Sequence, residues 1–240
     1  MSAREDAPVR ATRRFAVDFL PGVTRDLVED APLSTPAREA AVELGVAARH
    51  LLDAVVSSEL PPGELEQAAR MLRDVAALLG RESRGDRAEH GIDDPEVGVR
   101  MFNPAVGQAN PVAPPVHLYA TTVGAELGWL EFSRFHEGIP GHAHGGFTAL
   151  VLDQMMSRAN GLVGEAGVTL TMEVAYHRVV PLGERLIVGA EVVKRAGRKV
   201  WTRAWIARSA DPGTPLATAT GLFLKMPAGR LQELFDQRIS

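Results

Sequence analysis

The sequence predicts an α+β fold in which a long antiparallel sheet curls around one apolar helix, preceded by a helical N-terminal extension. Three observations carry this expectation. Residues 145–160 form a helix-length run in which Phe147, Ala149, Leu150, Val151, Leu152, Met155 and Met156 leave almost no polar face. Strand-length runs separated by turn signals follow it. Two stretches of helical apolar spacing precede it, across residues 36–79. The chain divides accordingly into an N-terminal helical extension with a charged linker (1–95), a proline-rich arm (96–115), a sheet-and-helix domain (116–226) and a C-terminal tail (227–240).

In chain order, residues 1–12 are polar and expected to be mobile, and residues 15–20 are the first apolar stretch able to anchor elsewhere. Thr35 is placed to cap a helix with Pro36 at its first position, running to about residue 56 with a stripe of Leu44, Ala48, Leu51 and Val55. A second helix follows Pro61, Pro62 and Gly63. Its apolar residues Leu65, Ala69, Leu72, Ala76 and Leu79 are spaced four, three, four, three. Two helices joined by so short a turn are expected to form an antiparallel hairpin, serving as a lid, a partner surface or a layer supporting a dimer. His50 reads as a surface or packing residue.

Residues 81–96 form a charged linker. Residues 101–115 contain 4 prolines and repeated Asn-Pro steps, which exclude a helix or a central strand. Their apolar content predicts an extended arm lying on the domain. Strands are expected at 127–135, 169–179, 185–194, 199–208 and 216–225, with turns at Pro181-Leu182-Gly183, Ala196-Gly197 and Asp211-Pro212-Gly213, as in a meander. Within 199–208, Val200, Thr202, Ala204 and Ile206 oppose Trp201, Arg203, Trp205 and Ala207, and either set suits the helix-facing side.

Composition excludes several function classes. The 240 residues include 0 Cys, so no disulfide or thiol nucleophile is available, in keeping with a cytoplasmic protein. No apolar leader and no run of about eighteen apolar residues predict neither secretion nor a membrane span. Residues 1–95 hold 12 Arg and 18 acids, net 12 − 18 = −6, whereas the remainder holds 14 bases and 12 acids, net 14 − 12 = +2. An acidic helical part argues against nucleic-acid binding.

Candidate chemistry gathers at residues 138–158. A Gly/Pro turn delivers His144, Gly145 and Gly146 to the mouth of the apolar helix. Backbone N–H groups there lack intrahelical partners and suit a developing oxyanion, and His144 is placed to orient a carbonyl. Asp153 interrupts the apolar helix, and a carboxylate at such a position must find partners or do chemistry. The alternatives stay open at this point: an ordinary glycine turn, and an acid simply bonded to Ser157 or to backbone. His144 and Asp153 are 153 − 144 = 9 positions apart, about 13 Å along a helix. If both act on one bond, two antiparallel copies of the helix across a two-fold axis bring them together.

Lys194, Arg195, Arg198 and Lys199 put 4 cations in one turn, where a phosphate-bearing ligand or plain solvation accounts for them. His136, His142 and His144 with Glu137 lack the spacing of a metal motif, so no metal is expected. Gly-x-Ser-x-Gly does not occur, which argues against a serine hydrolase.

The run Pro140-Gly141-His142-Ala143-His144-Gly145-Gly146, an acid nine residues after His144, Thr169 opening the next strand and the Gly197-Arg198 turn together resemble the hotdog-fold acyl-CoA thioesterases of the phenylacetate-pathway type. The likeness covers roughly residues 115–226. It implies a hotdog fold, with Asp153 activating water or attacking the thioester directly. It also implies that the Gly145 amide holds the thioester oxygen, His144 orients substrate and Thr169 positions the acid or water. Gly146, Arg195 and Arg198 would bind substrate, the two arginines at coenzyme A. No cofactor is implied beyond the coenzyme A of the substrate, and the implied partner is a second copy, in a homodimer or homotetramer whose site crosses the dimer interface. The family includes an alternative motif with Glu for Asp; this chain carries the Asp form. Rival readings are a hotdog acyl dehydratase and a non-catalytic acyl-CoA sensor, though a sensor would not need Asp153.

Overall fold

A computed structural model of the chain describes residues 35–83, 91–93, 100–119 and 125–227. The polar segment 1–12, the apolar stretch 15–20, most of the charged linker and nearly all of the C-terminal tail lie outside the described residues. Helix α1 (Pro36–Ser57) begins as expected: Thr35 Oγ1 accepts a hydrogen bond from the Arg38 N–H at 3.2 Å, with Pro36 in the first turn. Helix α2 (Pro62–Leu79) follows.

The expected helical hairpin does not form. α1 and α2 do not pack along one another, and the predicted α1 stripe faces outward, with Leu44, Leu51 and Val55 exposed by 45%, 40% and 55%. What α1 buries instead is a face rotated by one residue, about 100°. Gly45 is buried so closely that an added Cβ would come within 2.7 Å of the Ala109 carbonyl oxygen. Arg49 Nη1 donates to the carbonyls of Gln108 (3.0 Å) and Asn110 (2.9 Å), and Asp53 Oδ1 accepts from the Phe135 N–H at 2.8 Å. The surface that receives α1 turns backbone carbonyls toward Gly45 and Arg49, and the Phe135 backbone beside it turns an N–H toward Asp53, so a small residue, a guanidinium and a carboxylate fit there better than an apolar stripe does.

That surface is the proline arm, and it is wound rather than extended. Asn103 Oδ1 accepts from the N–H groups of Ala105 (2.8 Å) and Val106 (3.1 Å), and Asn110 Oδ1 accepts from Val112 N–H at 2.8 Å. Each Asn-Pro step thus closes a turn through its own side chain, which the Asn-Pro spacing permitted but did not dictate. Ala105, Ala109 and Ala113 are buried against the domain.

The domain itself holds strands β1 (His117–Tyr119) and β2 (Ala125–Leu130), a 3₁₀ turn (Arg134–His136), helix α3 (Gly145–Leu162), and strands β3 (Gly167–Tyr176), β4 (Leu186–Ala196), β5 (Lys199–Arg208) and β6 (Asp211–Lys225). They form a 6-stranded antiparallel sheet in the order β1-β2-β4-β5-β6-β3. Only β4, β5 and β6 make the expected meander. β3 crosses over to pair with β6 and becomes an edge strand, so β2 and β4 are neighbours instead. The chain also leaves the sheet at Glu131, earlier than the predicted end at 135, because Phe132 and Phe135 are needed around His136 rather than in a strand.

α3 lies across the sheet with Val151, Leu152, Met155, Met156 and Ala159 buried, against Val188, Ala190, Val200, Ala204, Ile206 and Phe223. This is the hotdog architecture. Of the two faces of β5, the set containing Val200, Ala204 and Ile206 meets the helix, and Thr202 Oγ1 donates to Asn160 on α3. Trp205 is buried on the other face with Leu127 and Ala207.

His136 ties arm, turn and domain together. It is 2% exposed, and its Nδ1 accepts from the Ser133 N–H at 3.1 Å, which leaves the ring proton on Nε2, donated to the Val112 carbonyl at 3.1 Å. Phe132, Phe135 and Phe147 pack edge-on or tilted around it. Burial lowers its pKa below the ordinary 6.5, outweighing the Val112 carbonyl and the Asp53 charge that favour a proton. The neutral folded ring therefore contributes fully above 6.5, and that contribution declines as pH falls from there until the folded ring is itself protonated. Thermal melts should show His136→Ala destabilised by about 2–4 kcal/mol at pH 8, from lost packing and two lost hydrogen bonds. The gap between wild type and variant should narrow on acidification to pH ~5.5; a gap independent of pH would contradict the buried neutral ring.

Candidate active site

The mouth of α3 is built by a turn that folds back on itself. Gly141, at φ 77°, takes a left-handed conformation that favours glycine, and its N–H donates to Glu137 Oε1 at 2.7 Å. The His144 N–H donates to the His136 carbonyl at 2.8 Å and the Ala143 N–H to the Val180 carbonyl at 2.8 Å, which fixes the turn to the segment just beyond β3.

His144 is the N-cap of α3: its Nδ1 accepts from the Gly146 N–H at 3.0 Å. In the neutral ring this leaves the proton on Nε2. Of the two glycine amides proposed from sequence, the Gly146 N–H is thus committed to His144. Among the described residues, the Gly145 N–H has no hydrogen-bond partner, whereas its carbonyl accepts from the Tyr176 hydroxyl at 2.7 Å. A side chain at Gly145 would press on the Tyr176 ring at 3.2 Å, so glycine keeps both the amide and the phenol in place.

These groups line an open cavity of about 600 Å³, whose wall also includes Ile139, His142, Thr148, His177, Arg178 and Val180. Thr148, one turn into α3, is fully buried, and its hydroxyl has no hydrogen-bond partner among the described residues. Sequence reasoning missed Tyr176, Thr148 and Arg178 here. Tyr176 and Arg178 arrive because β3 pairs with β6 and the bridge between His142 and Pro181 closes the loop, both long-range contacts. Thr148 had a local signal, a hydroxyl in the first turn of an apolar helix.

The three histidine rings read as a possible metal set diverge. His136 bonds Ser133 and Val112, His142 Nδ1 faces the Pro140 carbonyl at 2.9 Å, and His144 bonds Gly146.

Asp153 lies elsewhere. It is half-buried on the side of α3 that the sheet leaves open, with Ala149, Leu150 and Ser157 likewise half-buried there. Its Oδ1 accepts from the Thr169 hydroxyl at 2.9 Å, rather than from Ser157. Thr169 lies near the start of β3 and Tyr176 ends it, while Asp153 sits midway along α3, so the acid and the His144 mouth are about 12 Å apart along the helix and face opposite ends of the strand. The basic hairpin lies beside the start of β3. Arg198 Nε donates to the Lys225 carbonyl at 3.2 Å, Lys225 lies opposite Gly167, and Arg195 and Lys225 approach Glu165 at 4.0 and 3.0 Å. One chain thus bonds Asp153 to Thr169, holds Arg195 and Arg198 beside the start of the same strand, and separately brings together His144, Gly145 and Gly146.

A family model described as the Thioesterase superfamily matches residues 140–211. Acyl-coenzyme A thioesterase THEM5 of Mus musculus is 33% identical over 90 residues, 38% of this chain and 36% of that protein. Acyl-coenzyme A thioesterase THEM4 of Xenopus laevis is 36% identical over 90 residues, 38% of this chain and 40% of that protein. The chain thus spans well under half the length of these curated relatives. A crystal structure of a thioesterase superfamily protein matches with a TM-score of 0.70 and 30% identity, covering 82% of this chain and 99% of that one.

Burial pushes the Tyr176 phenol above its ordinary value of 10.0, so it stays a donor to Gly145 at all working pH values. Ultraviolet titration of wild type minus Tyr176→Phe, simple in a chain with 2 Tyr, should isolate a phenolate rising above pH 10. A midpoint below 10 would contradict a phenol held against the Gly145 carbonyl.

Proposed function

We propose that this chain, which belongs to the thioesterase superfamily, hydrolyses acyl-CoA thioesters at a site shared by two copies. One observation carries the reading. The Gly145 N–H, without a partner among the described residues, opens α3, and the Thr169-held carboxylate of Asp153 lies 153 − 145 = 8 residues on, about 12 Å along the helix, on a side the sheet does not cover. Two α3 helices running antiparallel across a two-fold axis can place Gly145 of one beside Asp153 of the other. The edge strand β3 supports the same arrangement, since among the described residues it is unpaired on one side and exposes Val168, Leu170 and Tyr176.

In the proposed reaction the thioester oxygen sits at the Gly145 N–H, at the positive end of the α3 dipole, and His144 orients the carbonyl through Nε2. Asp153 of the second copy, held by Thr169, takes a proton from water as the water oxygen bonds the carbonyl carbon. The carbonyl electrons move onto the oxygen facing Gly145. Collapse re-forms the C=O and breaks the C–S bond as Asp153 returns its proton to the departing sulfur, giving the carboxylic acid and the coenzyme A thiol. Direct attack by Asp153 is the variant of this scheme that the family resemblance also allows. Single turnover in ¹⁸O-water separates them: water attack puts the label into the product acid, whereas carboxylate attack followed by hydrolysis of the anhydride at the Asp153 carbonyl puts it into Asp153. Arg195 and Arg198, beside the start of β3, are proposed to contact coenzyme A phosphates. Gly146 contributes through His144 rather than through a free N–H. The reaction needs no cofactor beyond the coenzyme A carried by the substrate. A cytoplasmic location belongs to the same proposal and rests on the 0 Cys of the chain.

The names of the curated relatives support an acyl-CoA substrate, as does the sequence resemblance to thioesterases of the phenylacetate-pathway type. Thiol release from short, medium, long and aromatic acyl-CoAs is the test. Wild type should release thiol from at least one class, and Asp153→Asn should lower kcat by about 10²–10⁴ with little change in KM. Thr169→Val should lose about tenfold, as its hydroxyl only orients the acid. A new enoyl absorbance would point to dehydration, and tight binding without either product to a sensor.

A further inference from the structure

Helix α2 is the least covered element of the described chain. No other element packs closely along it, none of its residues is buried, and Leu65, Met71, Val75 and Leu79 are exposed by 45%, 62%, 48% and 52%. Only Ala69 and Leu72, at its centre, are half-buried. An 18-residue helix whose apolar row is exposed at Leu65, Ala76 and Leu79 and only half-covered between them is marginal alone in water.

We propose that α2 pairs antiparallel with α2 of a second copy of this chain. Its row Leu65, Ala69, Leu72, Ala76, Leu79 alternates large and small at the four-three spacing of a coiled-coil seam. Antiparallel pairing can set Leu65 opposite Ala76 of the second copy and Leu72 opposite its Ala69, so the four central layers each join one leucine to one alanine, and Leu79 covers Pro62 at either end. Parallel pairing would stack leucine on leucine and alanine on alanine, leaving the alanine layers underfilled. Charge agrees with size. Glu66 and Arg73 flank the same edge of the row, 73 − 66 = 7 positions apart. Antiparallel pairing brings Glu66 beside Arg73 of the second copy and repeats the pair by symmetry, whereas parallel pairing sets that edge against Ala68 and Val75. A face complementary to itself is what a two-fold axis requires, and a different partner gives no reason for it. The pairing rests on α2 alone and is independent of the proposed hydrolysis.

The chain has 0 Cys, so introduced cysteines report contacts directly. In full-length Leu65→Cys/Ala76→Cys, the two thiols of one helix lie about 16 Å apart and cannot bond each other. Mild oxidation should therefore give a covalent dimer on a non-reducing gel. Leu65→Cys alone should stay uncrosslinked, since antiparallel pairing also separates the two copies of that position by about 16 Å. Adding Glu66→Arg to the double-cysteine protein should cut the cross-linking rate by about fivefold, and adding Arg73→Glu as well should restore it. α2 supports no part of the sheet, so circular dichroism should find every variant folded. No dimer from the double-cysteine protein, a dimer from Leu65→Cys alone, or indifference to Glu66→Arg would each overturn the proposal. A dimer seen by mass without any cross-link would leave the α3 pairing standing and remove this one.

Discussion

Helix α3 has more apolar perimeter than one sheet can cover, and the rest of the site depends on that constraint. Val151, Leu152, Met155, Met156 and Ala159 fill the sheet's concave side. The opposite side, with Ala149, Leu150 and Asp153, stays half-open in a single chain. A carboxylate deep in a finished core would be forced to neutralise or to bind a cation. On a half-open side it keeps one firm partner, Thr169, and an oxygen free for work. The packing requirement that leaves this face uncovered also makes an acid tolerable there.

The mouth of α3 obeys a different logic, in which each polar group is assigned one task. The Gly146 amide orients the His144 ring, the Gly145 carbonyl is held by Tyr176, and the Gly145 amide is left over. A helix start always has spare N–H groups. Here side chains reduce the choice and orient the remainder. Preorganised donors matter because reorienting them at the moment of reaction would cost what they contribute.

Much of this was legible in the sequence, and the failures share a cause. The apolar run gave α3 within two residues, and the spacing of 9 positions keeps Asp153 away from the His144 mouth, at mid-helix rather than at the far end. Period-two alternation found the strands but not their neighbours: β3 leaves the expected meander for the edge beside β6, and with it go Tyr176 and Arg178. Which face of α1 is buried was misread for a related reason. An apolar stripe predicts the inner face only when the receiving surface is apolar, and α1 docks on backbone polar groups, on carbonyls through Gly45 and Arg49 and on the Phe135 N–H through Asp53. Most local signals reported local structure, although the Asn103 and Asn110 turns that wind the arm escaped them; pairing across tens of residues left no mark in spacing.

The wound proline arm bears on the order in which the chain assembles. Its turns close through Asn103 and Asn110 over separations of two or three residues, and even the Asn110 Nδ2 bond to the Phe102 carbonyl spans only eight. Such short loops lose little chain entropy and close within about 10–100 ns, whereas β3 must find β6 across more than forty intervening positions. Contacts this local form early, so the arm is available as a template before the sheet is complete. α1 then has a receiving surface that does not wait for the slowest pairing in the molecule.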